Sequence, residues 1–246
     1  MHKPLQTVPV YRLVPNFVTL LALSLGMTSI RYAFDEKWHI AAGLILIAGF
    51  LDGIDGRLAR LLNATSRFGA ELDSLADIVS FGVAPAVTMY LWSLHNIPIK
   101  GIGWFVVLFY IACSALRLAR YNSRLDDLDE KKKLQNFTTG MPITTAASIC
   151  LLPMMFSFEL ISTAVSPWLV FINMALIGLI MISRVPTFTF RTVHIRKAYV
   201  PFLMATIVLL IGAMILEPWV IFPIMITFYL CTIPFSIISF YFNSGK

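Results

Sequence analysis

The sequence predicts an all-α polytopic membrane protein with about eight transmembrane helices and both termini cytoplasmic, and three observations carry that prediction. Of its 246 residues 58% are hydrophobic and only 13% charged, with a mean hydropathy of +0.81, which is more apolar surface than a water-soluble domain can hide. Apolar runs of about twenty residues, the length of helix that crosses a hydrocarbon core, recur along the whole chain. With both termini on the cytoplasmic side, sixteen of the nineteen Lys and Arg residues fall there and only Arg31, Lys37 and Lys100 on the other, the asymmetry of the positive-inside rule.

The spans fall near 16–34, 38–60, 69–94, 101–122, 141–160, 167–184, 199–216 and 219–241. Prolines punctuate them: Pro15 opens the first, Pro98 precedes the fourth, Pro142 starts the fifth and Pro167 the sixth. Pro201 sits in the first turn of the seventh, where its missing N–H is harmless, and Glu217-Pro218 makes the tight link to the eighth. No polar stretch is long enough for a separate soluble domain, so residues 1–246 read as one membrane unit. The first apolar run reads as retained, because no small-residue cleavage pattern follows it.

Cys113, Cys150 and Cys231 lie in apolar segments without paired spacing, which argues against a disulfide framework or a zinc site. The net charge of +6 gathers at segment ends and points to anionic headgroups and topology, with no nucleic-acid partner. Asp126, Asp127, Asp129 and Glu130, followed by Lys131 to Lys133, read as a solvated loop. The four histidines sit at segment ends as interfacial packing residues.

One stretch breaks the apolar pattern. DGIDGRLARLLNATSRFGAELDSLAD, residues 52 to 77, holds four aspartates and three arginines at the edge of the second and third spans. On a helix Asp52, Asp55, Gly56, Ala59 and Arg60 stand at offsets 0, 3, 4, 7 and 8 and share one face. Gly69, Asp73 and Asp77, at offsets 0, 4 and 8, share another. A short turn around Leu61 to Phe68 returns the second helix antiparallel to the first, so four carboxylates point into a common space. Such a concentration of like charge beside a low-dielectric region needs cations. An arginine salt-bridge network is one reading. It does not require small residues at Gly56, Ala59 and Gly69, whereas a site clearing room for a ligand does. Hard oxygen donors suit Mg2+ or Mn2+, and a pair of such ions can clamp a pyrophosphate.

The pattern Asp52-x2-Asp55-Gly56-x2-Ala59-Arg60-x8-Gly69-x3-Asp73-x3-Asp77 resembles, at all eight positions, the signature of the CDP-alcohol phosphotransferase family of membrane enzymes. The resemblance implies attack by an alcohol hydroxyl on a phosphorus of a CDP-linked donor, with CMP leaving. It implies that Asp52, Asp55 and Asp73 hold two divalent ions. Asp77 would be a further metal ligand and the general base. Gly56, Ala59, Arg60 and Gly69 would surround the CDP moiety. PNFVT (15–19), DSLADIVSFGVAPA (73–86), ALRLARYN (115–122), NFTTGMP (136–142) and SRVPT (183–187) extend the likeness to the membrane-bound phosphatidylserine synthases of bacteria and archaea. That subfamily usually carries a second proline where this chain has Thr144.

The implied substrates are CDP-diacylglycerol and L-serine, the implied place the inner cell membrane with the site facing the cytoplasm, and the implied assembly a homodimer among membrane lipids. Asn16 and Thr19 are candidates for nucleotide contacts or helix-end caps. Arg117, Arg120 and Asn122 are candidates for the acceptor or for phosphate, or for anchoring the helix end to headgroups. Another acceptor (glycerol 3-phosphate, an inositol phosphate or choline) stays open on these residues. A prenyltransferase would need a second aspartate cluster, and after residue 130 the chain has none. A cation- or proton-coupled transporter would explain buried aspartates, but the acidic motif has no second copy.

Overall fold

The computed structural model describes residues 10–125, 137–139, 141–160, 165–183, 186–188 and 199–244. Helix α1 (Val14–Phe34) and helix α2 (Trp38–Leu61) form a hairpin whose seam is built from small side chains. Thr19, Ala22, Gly26, Ser29 and Ala33 of α1 are buried, as are Ala41, Ala42, Ile45 and Ala48 of α2. In lipid the apolar drive between helices is weak, so close approach of small residues supplies the packing. The reversal at Asp35 to Lys37 places Glu36 at φ 57°.

The third rod runs from Arg67 to Trp92 in three pieces: α3 (Arg67–Asp77), a π-helical segment (Ile78–Val83) and α4 (Ala84–Trp92). It is continuous enough to cross a membrane, as are α1, α2 and α5 (Ile102–Leu125) by length and composition. Four shorter or partly described apolar helices complete the series: α6 (Ile143–Glu159), α7 (Pro167–Ile182), α8 (Val200–Leu216) and α9 (Pro218–Ser244). The rods agree with the eight spans read from the sequence. What the sequence reading lacked is the change of winding inside the third, and one departure from an all-helical chain. Strands β1 (Phe137–Thr139) and β2 (Pro186–Phe188) pair antiparallel, with Thr138 opposite Thr187. Two of the stretches that carry the subfamily likeness therefore meet in one ladder.

The core is contiguous and rich in Met and Ala, with Met89, Tyr110, Met141, Met154, Met174 and Met181 fully enclosed. Helix α5 packs on α7, and α6 packs on α9. At the end of the bundle away from the aspartates His39 stacks on Phe158 with centroids 3.9 Å apart, and Trp219 meets both rings edge-on. That packing ties the start of α2 to the end of α6 and the start of α9. Helix α8 has no buried residue.

The acidic and basic stretch at 126–133, read from sequence as a solvated loop, lies outside the described residues, as do both termini.

Candidate active site

The turn that brings the acidic faces together is written locally. Helix α2 ends in a left-handed residue, Asn63 at φ 50°, a conformation asparagine tolerates better than most side chains. The Ala64 N–H donates to the Ala59 carbonyl at 2.9 Å and the Asn63 N–H to the Arg60 carbonyl at 3.3 Å, the paired bonds that close a Schellman-type helix end. Three residues later Ser66, in extended conformation, caps α3 by accepting from the Gly69 N–H at 3.0 Å. Asparagine stop and serine start thus leave a five-residue link, and α3 folds back to pack on α1.

Carboxylate oxygens of Asp52, Asp55 and Asp73 lie within 4.8 Å of one another. Asp55 is 4% exposed, and its Oδ2 accepts from the Thr19 hydroxyl at 2.7 Å. Asp73 Oδ1 is buried with no hydrogen-bond partner, and the charges it faces are Asp52 and Asp55. Asp77 stands beside the triplet, in hydrogen-bond contact with Asp52 and opposite Arg117. Three clustered acids with an orphaned buried oxygen are a poor salt-bridge network and a good hard-cation site. The arrangement therefore fits a divalent ion held by Asp52, Asp55 and Asp73. Arg60 donates from Nε to the Gly56 carbonyl of its own helix at 2.9 Å.

A cavity of about 440 Å³ adjoins the cluster. Asp55 and Asp73 form its base, and Asn16, Thr19, Gly56, Ala59, Arg60 and Gly69 line it. All six positions read from sequence as CDP contacts therefore surround one space. A Cβ on Gly69 would lie 3.0 Å from Asn16 Oδ1 and 3.2 Å from Ser66 Oγ, tighter than ordinary contact, whereas one on Gly56 would meet no protein atom within 4 Å and would only take up cavity space. Thr65, Ser66 and Tyr121 also line the cavity. Sequence reading passed over them, although Tyr121 lies inside the ALRLARYN stretch.

The acceptor candidates separate. Arg117 is 9% exposed, with Nε unpartnered. Arg120 turns away: its Nη1 donates to the Ile182 carbonyl at 2.6 Å and its Nη2 to those of Met181 and Ser183 at 3.4 Å, closing the last turn of α7. Asn122 Nδ2 donates to Ser74 Oγ at 2.9 Å, tying α5 to α3 between Asp73 and Asp77.

Comparison with known proteins gives this geometry a lineage. The family model for CDP-alcohol phosphatidyltransferase matches residues 12–178. A CDP-diacylglycerol–serine O-phosphatidyltransferase of Mycobacterium leprae is 39% identical over 228 residues, 92% of this chain and 75% of that protein. Proteins of the same name from Helicobacter pylori strain J99 and Bacillus subtilis are 41% identical over 144 residues and 38% over 152. These cover 58% and 62% of this chain, and 57% and 80% of those proteins respectively. The match spans the helices that carry all four aspartates and the cavity above them, and the chain belongs to the CDP-alcohol phosphatidyltransferase family.

Proposed function

We propose that the chain transfers a phosphatidyl group from CDP-diacylglycerol to the hydroxyl of L-serine, giving phosphatidylserine and CMP. The observation that supports this best is the convergence of the motif on one place: three acids with oxygens within 4.8 Å of one another, at the base of a cavity lined by the small and basic residues of the same motif. The names of the similar proteins favour serine as the acceptor.

Asp52, Asp55 and Asp73, with Asp77 beside them, are the residues to hold Mg2+ or Mn2+, two ions by family resemblance. Ions bound there would offset the charge of the pyrophosphate and of the departing CMP. The chain's own residues do the rest. Gly56, Ala59 and Gly69 leave room for the nucleotide, with Asn16 and Arg60 beside it. Asp77 takes the proton of the serine hydroxyl as its oxygen bonds to the distal phosphorus and the bond to CMP breaks. Arg117, buried next to Asp77, suits the serine carboxylate. The cytoplasmic orientation, inner-membrane location and homodimer belong to the same proposal.

The test uses detergent-purified protein with CDP-diacylglycerol and one alcohol at a time: L-serine, glycerol 3-phosphate, an inositol phosphate or choline. Serine should raise CMP release and give a serine-containing lipid, EDTA should stop it, and Mn2+ or Mg2+ should restore it. Stimulation by another alcohol and not by serine overturns the acceptor. Cation flux in proteoliposomes without CMP release overturns the enzyme.

A further inference from the structure

Pro85 stands where two kinds of winding meet. It is the second residue of α4, which follows directly on the π-helical segment Ile78–Val83. Proline has no N–H. Pro85 therefore gives nothing to the Phe81 carbonyl four residues back, the bond that α-helical winding requires, or to the Ser80 carbonyl five back, the bond that would extend the π-helix. The Ala84 N–H still makes a bond of the wider kind, to the Val79 carbonyl, and the next donor in line is missing. Phe81 is 2% exposed, and a buried carbonyl left without a donor is costly. A donor comes from another helix. The Tyr110 hydroxyl of α5, fully enclosed in the core, donates to the Phe81 carbonyl at 3.2 Å.

From that point one face of α5 follows the third rod toward the acidic cluster. Tyr110, Ser114, Arg117 and Tyr121 stand at offsets 0, 4, 7 and 11 and share that face. A Cβ on Gly82 would lie 3.3 Å from Ser114 Cβ, Arg117 is opposite Asp77, and Tyr121 lines the nucleotide cavity. Tyr110 is thus one end of a seam whose other end bears reactive groups. We infer that the Tyr110 hydroxyl stands in for the N–H that Pro85 lacks, and that Tyr110 is thereby a positioning residue, locking the third rod against α5 so that Asp77 stays opposite Arg117. The inference rests on the role proposed above for Asp77. The metal triplet depends less on this seam. Asp52 and Asp55 come from α2, and Asp73 lies a full turn further from the π-helical segment than Asp77. Loss of the Tyr110 hydroxyl should therefore reach proton transfer and spare donor binding.

The test is a double-variant cycle on the full-length protein in detergent, with Mn2+, CDP-diacylglycerol and serine. Tyr110→Phe keeps the ring and removes the donor, and Pro85→Ala returns a backbone N–H beside the Phe81 carbonyl. Tyr110→Phe should lower kcat for CMP release about 10- to 100-fold, the cost of a small misplacement of a reacting group. The KM values for both substrates and the Mn2+ requirement should change by less than about twofold, and the thermal midpoint should fall by about 2–4 °C. Pro85→Ala added to Tyr110→Phe should recover a large part of both kcat and midpoint, the non-additivity expected when one group replaces another. Val107→Ala, a truncation at a buried α5 position one turn before Tyr110, removes packing and no hydroxyl, so Pro85→Ala should not rescue it. Unchanged kcat in folded Tyr110→Phe, a loss carried by KM or by the metal requirement, no recovery in the double variant, or equal recovery in Val107→Ala would each overturn the inference. Where Pro85→Ala does not fold, the split between kcat and KM in Tyr110→Phe decides alone. A wild-type protein that releases no CMP with any alcohol removes the proposed function by itself. The midpoints then decide whether Tyr110 replaces the Pro85 N–H: coupled midpoints uphold the replacement and additive ones overturn it.

Discussion

The Thr19 hydroxyl lies 2.7 Å from Asp55 Oδ2, so α1 orients an acid that α2 presents. The same hydroxyl is 3.1 Å from the Pro15 carbonyl. It has one proton to give, and the shorter contact to a charged acceptor is the stronger. With one oxygen held, Asp55 offers the other in a fixed direction. Thr19→Val keeps the shape and removes the donor. It should raise the Mn2+ concentration needed for half-maximal CMP release by about 10- to 100-fold, as loss of an outer-shell partner does elsewhere. Thr19→Ser should keep the wild-type requirement, and an unchanged metal titration in Thr19→Val would remove the orienting role.

Asp77 and Asp55 should fail differently. Asp77→Asn leaves the triplet of Asp52, Asp55 and Asp73 and keeps side-chain volume, so Mn2+-dependent binding of CDP-diacylglycerol should survive while turnover falls by about 10²- to 10⁴-fold. Asp55→Ala breaks the triplet and leaves Thr19 without its acceptor, so binding and turnover should both go. Equilibrium binding of a labelled donor alongside CMP release separates the two. Full activity in Asp77→Asn would remove the base assignment.

Arg117 and Arg120, three residues apart on α5, should also part company. Arg120 carries charge-assisted bonds to the end of α7, each such bond being worth about 1.5–3 kcal/mol when well made and less where part-exposed. Arg120→Ala should therefore lower the thermal midpoint in detergent by several degrees with serine KM little changed. Arg117→Met should raise serine KM at least about tenfold, as loss of a buried ionic partner does. Arg117→Lys should not restore it, because a single ammonium does not reproduce the fork. The reverse pattern would exchange the two roles.

Those two arginines also mark where sequence reading stops. The faces bearing Asp52, Asp55, Gly56 and Ala59, and Gly69, Asp73 and Asp77, were legible because helical periodicity is local, and so was the turn, since Asn63 and Ser66 act on their own neighbours. Spacing cannot tell Arg117 from Arg120. What differs is the element opposite each, Asp77 for one and the last carbonyls of α7 for the other, and that is settled by packing. The π-helical winding of Ile78–Val83 was illegible for the same reason. Its residues, IVSFGV, contain no proline and only one glycine, and nothing in their order distinguishes them from an α-helical run. The partners that meet the segment come from other helices: Ser80 Oγ donates to the Ala22 carbonyl at 3.3 Å, and the Tyr110 hydroxyl to the Phe81 carbonyl at 3.2 Å.

The closest of these packing contacts gives the last prediction. A Cβ added at Gly26 would lie 2.5 Å from Ser80 Oγ, 2.7 Å from its Cα and 2.8 Å from its Cβ, so α1 touches the backbone of the π-helical segment and not merely a side-chain tip. That segment begins at the residue after Asp77. Pushing it away from α1 therefore moves the end of α3, where Asp77 sits, relative to Asp55, which α1 holds through Thr19. Gly26→Ala should cost about 1–3 kcal/mol of stability, the usual range for overpacking. It should lower CMP release by far more than the fraction of protein it unfolds. Ser80→Gly alone gives up one long hydrogen bond and should be mild. Added to Gly26→Ala it removes two of the three close contacts but leaves the Cα, so it should recover part of both stability and rate. Thermal denaturation and CMP release measured on the four proteins at one temperature decide the matter. Full activity in folded Gly26→Ala would mean that the approach of α1 to the π-helical segment does not set the position of Asp77.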